Sequence, residues 1–226
     1  VMLFATRWLV KLFTPIRMSK PDVGPGRGTS QNRKRILVIM VVKADPDPLG
    51  PKLISLDVDI EIDGDAWADD SSSIEADCRR CCVTAFNGVQ NLGEFDDQGV
   101  EACEIAIRLT TDAELQSLNL QFRGMDKPTN VLSFAALDGD GPTIIAGQPL
   151  FLGDIAIAGE TVAREANEQN KTVSDHLSHM IIHGTLHLLG YEHEDEDEAL
   201  KMEALERKIL SAHHVADPYV AMEQMS

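Results

Sequence analysis

The run HGTLHLLGYEH, residues 183–193, restricts the possible folds more than any other part of the 226-residue chain. His183 and His187 stand four apart, so on a helix they project from one face on successive turns and can hold one ion together. The segment TVSDHLSHMIIHGTLHLLG reads as that helix, and Gly190 can adopt the left-handed conformation that ends it. If the chain reverses there, His193 swings back to offer a third nitrogen. Three neutral imidazoles leave a fourth coordination position open, the layout of a catalytic rather than a closed structural zinc. The fold must therefore seat one helix so that its histidine face meets open space.

Gly184 narrows the chemistry. Zinc peptidases of the metzincin type share this histidine spacing but need a glutamate where the chain has Gly184. That side chain deprotonates water and protonates the departing amine, and glycine can do neither. A phosphodiester poses a different problem, because a metal ion already lowers the pKa of the water it binds. What remains is charge developing on phosphorus, for which arginine is well suited. The stretch RGMDKPTNVLSF (123–134) offers Arg123 and Lys127 in a loop running into a strand. Standing alone, these two would read as solvent-facing charges in a turn.

Other residues compete for the ion. His179 lies four residues before His183, but eight residues of helix set it about 12 Å from His187, so it cannot join both. It reads as a supporting or core residue, with a His179/His183 pair as the alternative. His176 reads as a solvated or packing side chain. Cys78, Cys81 and Cys82 include a C-x-x-C, yet no second pair follows at zinc-ribbon spacing. With Ala85 and Val89 they share one helical face, so core packing is the better reading. With no disulfide framework, a reducing cytoplasm is the expected compartment.

Around this centre the chain alternates between two periods. LISLDVDIEI (53–62) places Leu56, Val58, Ile60 and Ile62 on one face of a half-buried strand, and EACEIAIRL repeats the alternation. SSIEADCRRCCVTAFNGV reads as a helix ending at Gly88. Thr111 followed by Glu114 makes a capping box for a helix that stops at Gly124. NVLSFAAL and LFLGDIAIAG are two more strands, flanking the loop DGDGPTIIAGQP. ETVAREANEQ, the histidine helix and EDEALKMEALERKIL complete the chain. This order predicts a single α/β (α+β) domain, residues 51–226: a small mixed four-stranded sheet packed with about five helices.

Residues 1–50 read as a flexible N-terminal extension or a misplaced translation start. Their opening run, VMLFATRWLVKLFTPIR, is broken by Arg7 and Lys11 and is shorter than the roughly 20 residues of a membrane span. No membrane association is expected. The formal net charge of −17 argues against a general nucleic-acid coat protein. It leaves room for one local basic cleft, because much of the acid sits in runs such as EHEDEDE (192–198).

Taken together, HLSHMIIHGTLHLLGYEH, RGMDKPTNVLSF and FLGDIAIA resemble the YbeY family of bacterial ribosomal-RNA maturation endoribonucleases, from about residue 53 to DPY at 217–219. The resemblance implies a compact α/β fold and a single-strand-specific, metal-dependent endoribonuclease. Such an enzyme would act in maturation of the 3′ end of small-subunit ribosomal RNA and in ribosome quality control. It implies one Zn²⁺ on His183, His187 and His193 and Arg123 as the catalytic arginine; Lys127 and Asn130, in the loop that follows, are the expected substrate-binding residues. The expected partners are single-stranded or ribosomal RNA and small-subunit ribosomal proteins. Two features depart from the family pattern: Glu192 stands where aspartate is common, and Ala135 where proline is frequent. The alternatives are a metal hydrolase of a small phosphoester or peptide, and a ribosome-assembly factor whose zinc is mainly structural.

Overall fold

A computed structural model describes residues 54–92, 100–136, 145 and 147–219, all within one compact unit. The expectations for residues 1–50, and for most of the 138–149 loop, lie outside the described residues. Four strands form one sheet: β1 (Ser55–Ile62), β2 (Ala102–Thr110), β3 (Val131–Ala135) and β4 (Leu150–Ala158). Their spatial order is β1-β2-β4-β3. The first three in that order run parallel, and β3 lies antiparallel to β4 at the edge. Five α-helices accompany them: α1 (Ser71–Gln90), α2 (Asp112–Arg123), α3 (Gly159–Glu168), α4 (Val173–Leu188) and α5 (Glu196–Ala212). The expected mixed four-stranded α/β architecture is the observed one.

Apolar periodicity explains the layering. Cys78, Cys81, Cys82, Ala85 and Val89 form the buried face of α1, joined by Phe86. They share a core with Ile105 and Ile107 of β2, Ile155 of β4, and Ile181 and Leu186 of α4. All four cysteines are free and buried. Burial pushes the thiols of Cys82 and Cys103 up to about 12, so they act as small apolar side chains. Helix α4 runs through the middle of the packing, touching α1, α3, α5, β3 and β4.

Two sequence expectations shift in detail. Helix α1 continues through Gly88 to Gln90. Gly88 is therefore interior to the helix and not its stop, and a Cβ there would meet Ile209 Cδ1 at an ordinary packing distance of 3.5 Å. At α2, Thr111 does cap the helix, accepting from the Glu114 amide. The Glu114 carboxylate instead accepts from Thr110 Oγ1 at 2.7 Å and pairs with Arg108 at 3.3 Å. A short 3₁₀ turn (Asp65–Asp70) was not foreseen. It is fixed by buried Trp67, whose Nε1 donates to the Thr110 carbonyl at 3.1 Å.

Candidate metal centre and its cleft

Helix α4 begins at a cap in which Thr172 Oγ1 accepts from the Asp175 amide at 3.0 Å. It ends in a Schellman turn. The Gly190 amide donates to His187 O and the Tyr191 amide to Leu186 O, both at 3.0 Å. Gly190 has φ +88°, as that turn requires. The reversal brings His193 back over the helix end. Ring centroids of His183 and His187 lie 4.6 Å apart, and that of His193 lies 5.5 Å and 4.9 Å from them.

One ligand atom from each of these three residues lies within 4.8 Å of the others, so together they could hold an ion. The Nε2 atoms of His183 and His187 stand 3.1 Å apart. Two nitrogens each about 2.0 Å from one tetrahedral zinc stand roughly 3.3 Å apart, so the spacing fits. His187 is also in the right charge state. Burial, then the neighbouring His183 and His193, lower the pKa of His187 to about 4, which keeps it neutral near pH 7.

A second triplet, His179, His183 and Glu206, also meets the distance criterion. Its carboxylate is otherwise engaged. Glu206 Oε1 lies 2.8 Å from His183 Nδ1, and Glu206 Oε2 accepts from the Tyr219 hydroxyl. An ion there would need the nitrogen and carboxylate that this hydrogen bond already uses. His179 Nε2 lies 3.9 Å from Oε2, beyond hydrogen-bond reach, and burial lowers its pKa to about 4. Glu206 itself is fully buried. Burial alone would raise its pKa, but the hydrogen bonds from His183 and Tyr219 and the nearby His179 outweigh that and hold it below the ordinary value. His176 is a buried packing residue, its Nε2 2.7 Å from Glu165 Oε2.

The histidines open onto a cleft of about 550 Å³. Arg123, Thr129, Asn130, Val131, Ser133 and Ala135 form one side, and Glu192 and Glu194 lie on its rim beside His193. Arg123 is exposed at the last turn of α2. That turn is set against β3 by an edge-to-face contact of Phe122 with Phe134, centroids 5.0 Å apart. The following loop is held by buried Asn119, whose Nδ2 donates to the Lys127 carbonyl at 2.8 Å. Asn130 lines the cleft, but its amide is committed. Nδ2 donates to Glu165 Oε2 at 3.0 Å, and Oδ1 accepts from the Val131 amide at 2.8 Å. Lys127 is exposed on the same loop and does not line the cleft.

Gly184 now has a physical reason. A Cβ there would lie 3.0 Å from Ser133 Oγ and 3.1 Å from Ile155 Cγ2. Helix α4 rests so closely on β3 and β4 that even a Cβ would be crowded where a peptidase carries its glutamate. Sequence reasoning passed over Glu206, Glu165 and Ser133. Glu206 had a signal: it shares one face of α5 with buried Met202, Leu205 and Ile209, an odd place for a carboxylate.

A histidine cluster at the mouth of an open cleft suits a hydrolytic enzyme, because the open face leaves room for a substrate. Residues 68–214 match the family model described as Endoribonuclease YbeY. An Endoribonuclease YbeY from Paramagnetospirillum magneticum is 44% identical over 166 residues, 74% of this chain and 97% of the relative. One from Nitrobacter winogradskyi is 45% identical over 168 residues, 74% of this chain and 84% of the relative. A solution structure of TM1509 from Thermotoga maritima is similar at TM-score 0.40 and 24% identity, covering 70% of this chain and 97% of that one. The chain belongs to the YbeY family of endoribonucleases.

Proposed function

We propose that this protein is a single-strand-specific, zinc-dependent endoribonuclease acting in maturation of the 3′ end of small-subunit ribosomal RNA and in ribosome quality control. One observation carries the reading: three converging imidazoles share a cleft with Arg123, while Gly184, crowded by Ser133 and Ile155, stands where a peptidase carries its glutamate. His183, His187 and His193 would hold the ion, which supplies Lewis acidity toward a phosphate and acidifies water. Arg123 offers its guanidinium to the phosphate oxygens as charge builds on them. Lys127 adds positive charge on the exposed loop that follows Arg123, and Asn130, which lines the cleft and is held by Glu165, offers a polar surface to the RNA. An unpaired strand can splay its bases against protein, and the open cleft beside Arg123 offers such a surface.

The four free, buried cysteines support a cytoplasmic location. Among the described residues no helix is long and apolar enough to cross a membrane. The net charge of −17 supports docking on basic small-subunit ribosomal proteins.

The deciding experiment measures zinc content and cleavage of single-stranded RNA, duplex RNA and casein, for wild type and Arg123→Ala side by side. The expected result is about one zinc in each protein, with single-stranded RNA cut by wild type only. Equal RNA cleavage by both proteins refutes the role of Arg123, and casein cleavage refutes the substrate class. Co-sedimentation with ribosomal particles without any cleavage would turn the reading toward an assembly factor.

A further inference from the structure

We propose that Glu206 is a positioning residue for the metal centre, holding His183 in the tautomer and orientation that aim Nε2 at the ion. The inference rests on reading His183 as a ligand and goes beyond it by assigning the residue behind it. Glu206 sits on the apolar face of α5 between Leu205 and Ile209, fully buried. A carboxylate in such a place is heavily penalised unless its oxygens are satisfied. Both are: Oε1 is 2.8 Å from His183 Nδ1, and Oε2 accepts from the Tyr219 hydroxyl.

A carboxylate only accepts, so His183 Nδ1 carries a hydrogen, and the neutral ring that can bind a metal then has its lone pair on Nε2. That lone-pair nitrogen is the one standing 3.1 Å from His187 Nε2. Tyr219 is braced in turn. The Arg207 guanidinium carbon lies 5.0 Å over its ring, and Arg207 Nε lies 3.3 Å from Asp217 Oδ2. The last described turn of the chain thus buttresses Glu206, which buttresses His183. His187 is supported differently, by a hydrogen bond to the Tyr191 backbone, and the carboxylate nearest its Nδ1 is that of exposed Glu192 at 3.5 Å. Hydrogen bonding from a ligating histidine to a carboxylate fixes the ring and raises its basicity.

A merely structural Glu206 would tie the C-terminal turn to α5 and leave the imidazole indifferent. Two measurements on the full chain separate these roles. The first is the His183 tautomer in the metal-free wild type at neutral pH, read from long-range nitrogen-15 correlations. The second is zinc affinity in competition with a chromophoric chelator.

The expected results are an Nδ1–H tautomer in wild type and a loss of zinc affinity of about 10- to 100-fold in Glu206→Gln. Tyr219→Phe should lose less. An Nε2–H tautomer in wild type overturns the inference. So does a folded Glu206→Gln protein that binds zinc as tightly as wild type, even if its unfolding midpoint has dropped. If Glu206→Gln fails to fold, the wild-type tautomer decides. No RNA enters either measurement, so absence of nuclease activity would sink the functional reading and leave this one standing. Unchanged zinc affinity in the variant would do the reverse.

Discussion

The two sides of the metal centre are built differently. His183 and His187 ride on α4, a helix locked among α1, α3, α5 and the sheet, and His183 is backed by a fully buried carboxylate. His193 is exposed on the segment beyond Gly190, flanked by Glu192 and Glu194 on the rim. The inner side is therefore set by packing before any ion arrives, and the outer side depends on one glycine turn. Arg123 likewise stands on exposed surface, but its helix end is pinned by Phe122 on Phe134. The difference teaches that the ion's address is written in the core, while substrate contact is left to the rim.

Breaking the inner side should do the most damage. His187→Ala should lower zinc affinity by on the order of a thousandfold or more and abolish RNA cleavage, as checked by metal analysis and a gel assay. His193→Ala should cost less, because both helix-borne donors remain, and comparable losses would erase the proposed asymmetry. Arg123→Ala should reduce cleavage by about 10²- to 10³-fold while zinc content stays at the wild-type level.

Packing can be tested apart from ligation. Gly184→Ala forces a Cβ against Ser133 and Ile155 and should cost about 1–3 kcal/mol in urea unfolding of the metal-free protein. Gly190→Ala meets no neighbour within 4 Å and is strained only by its φ of +88°, so about 1–2 kcal/mol is expected. A larger loss at Gly190 than at Gly184 would invert the comparison.

Acid should act through the buried histidines. The pKa values of His179 and His187 are lowered to about 4, against an ordinary value of 6.5. Between those values the unfolded chain holds protons that the folded protein refuses. The stability of the metal-free protein is therefore full above pH 6.5 and falls as pH drops toward 4. His179→Leu should remove about one proton from that dependence, at most about 1.4 kcal/mol per pH unit, in chemical denaturation run from pH 7 to pH 4. An unchanged slope would mean that His179 is not held neutral by burial.

How much of this was legible beforehand depended on whether the signal was local. Strand alternation and cap residues are short-range, so Val58, Ile105, Thr111 and Gly190 announced their elements. Spacing also told that His183 and His187 face one way, because helical geometry converts four residues into one face. Long-range partners left weaker marks. Nothing near Gly88 tells that Ile209 will lie against it, so it read as a stop. Asn130 read as a substrate contact, and only the arrival of α3 shows its amide held by Glu165. Gly184 was conspicuous in the sequence, but its reason, the closeness of Ser133 and Ile155, exists only in the folded protein. Glu206 was readable as an anomaly and not as a partner, since His183 lies 23 residues away.

The most direct test of the central claim is an anomalous difference map at the zinc edge from crystals of the zinc-loaded protein. One peak about 2.1 Å from Nε2 of both His183 and His187, and equally close to a ring nitrogen of His193, is the predicted result. A peak lodged between His179 and Glu206, or no peak among the three histidines, would contradict it.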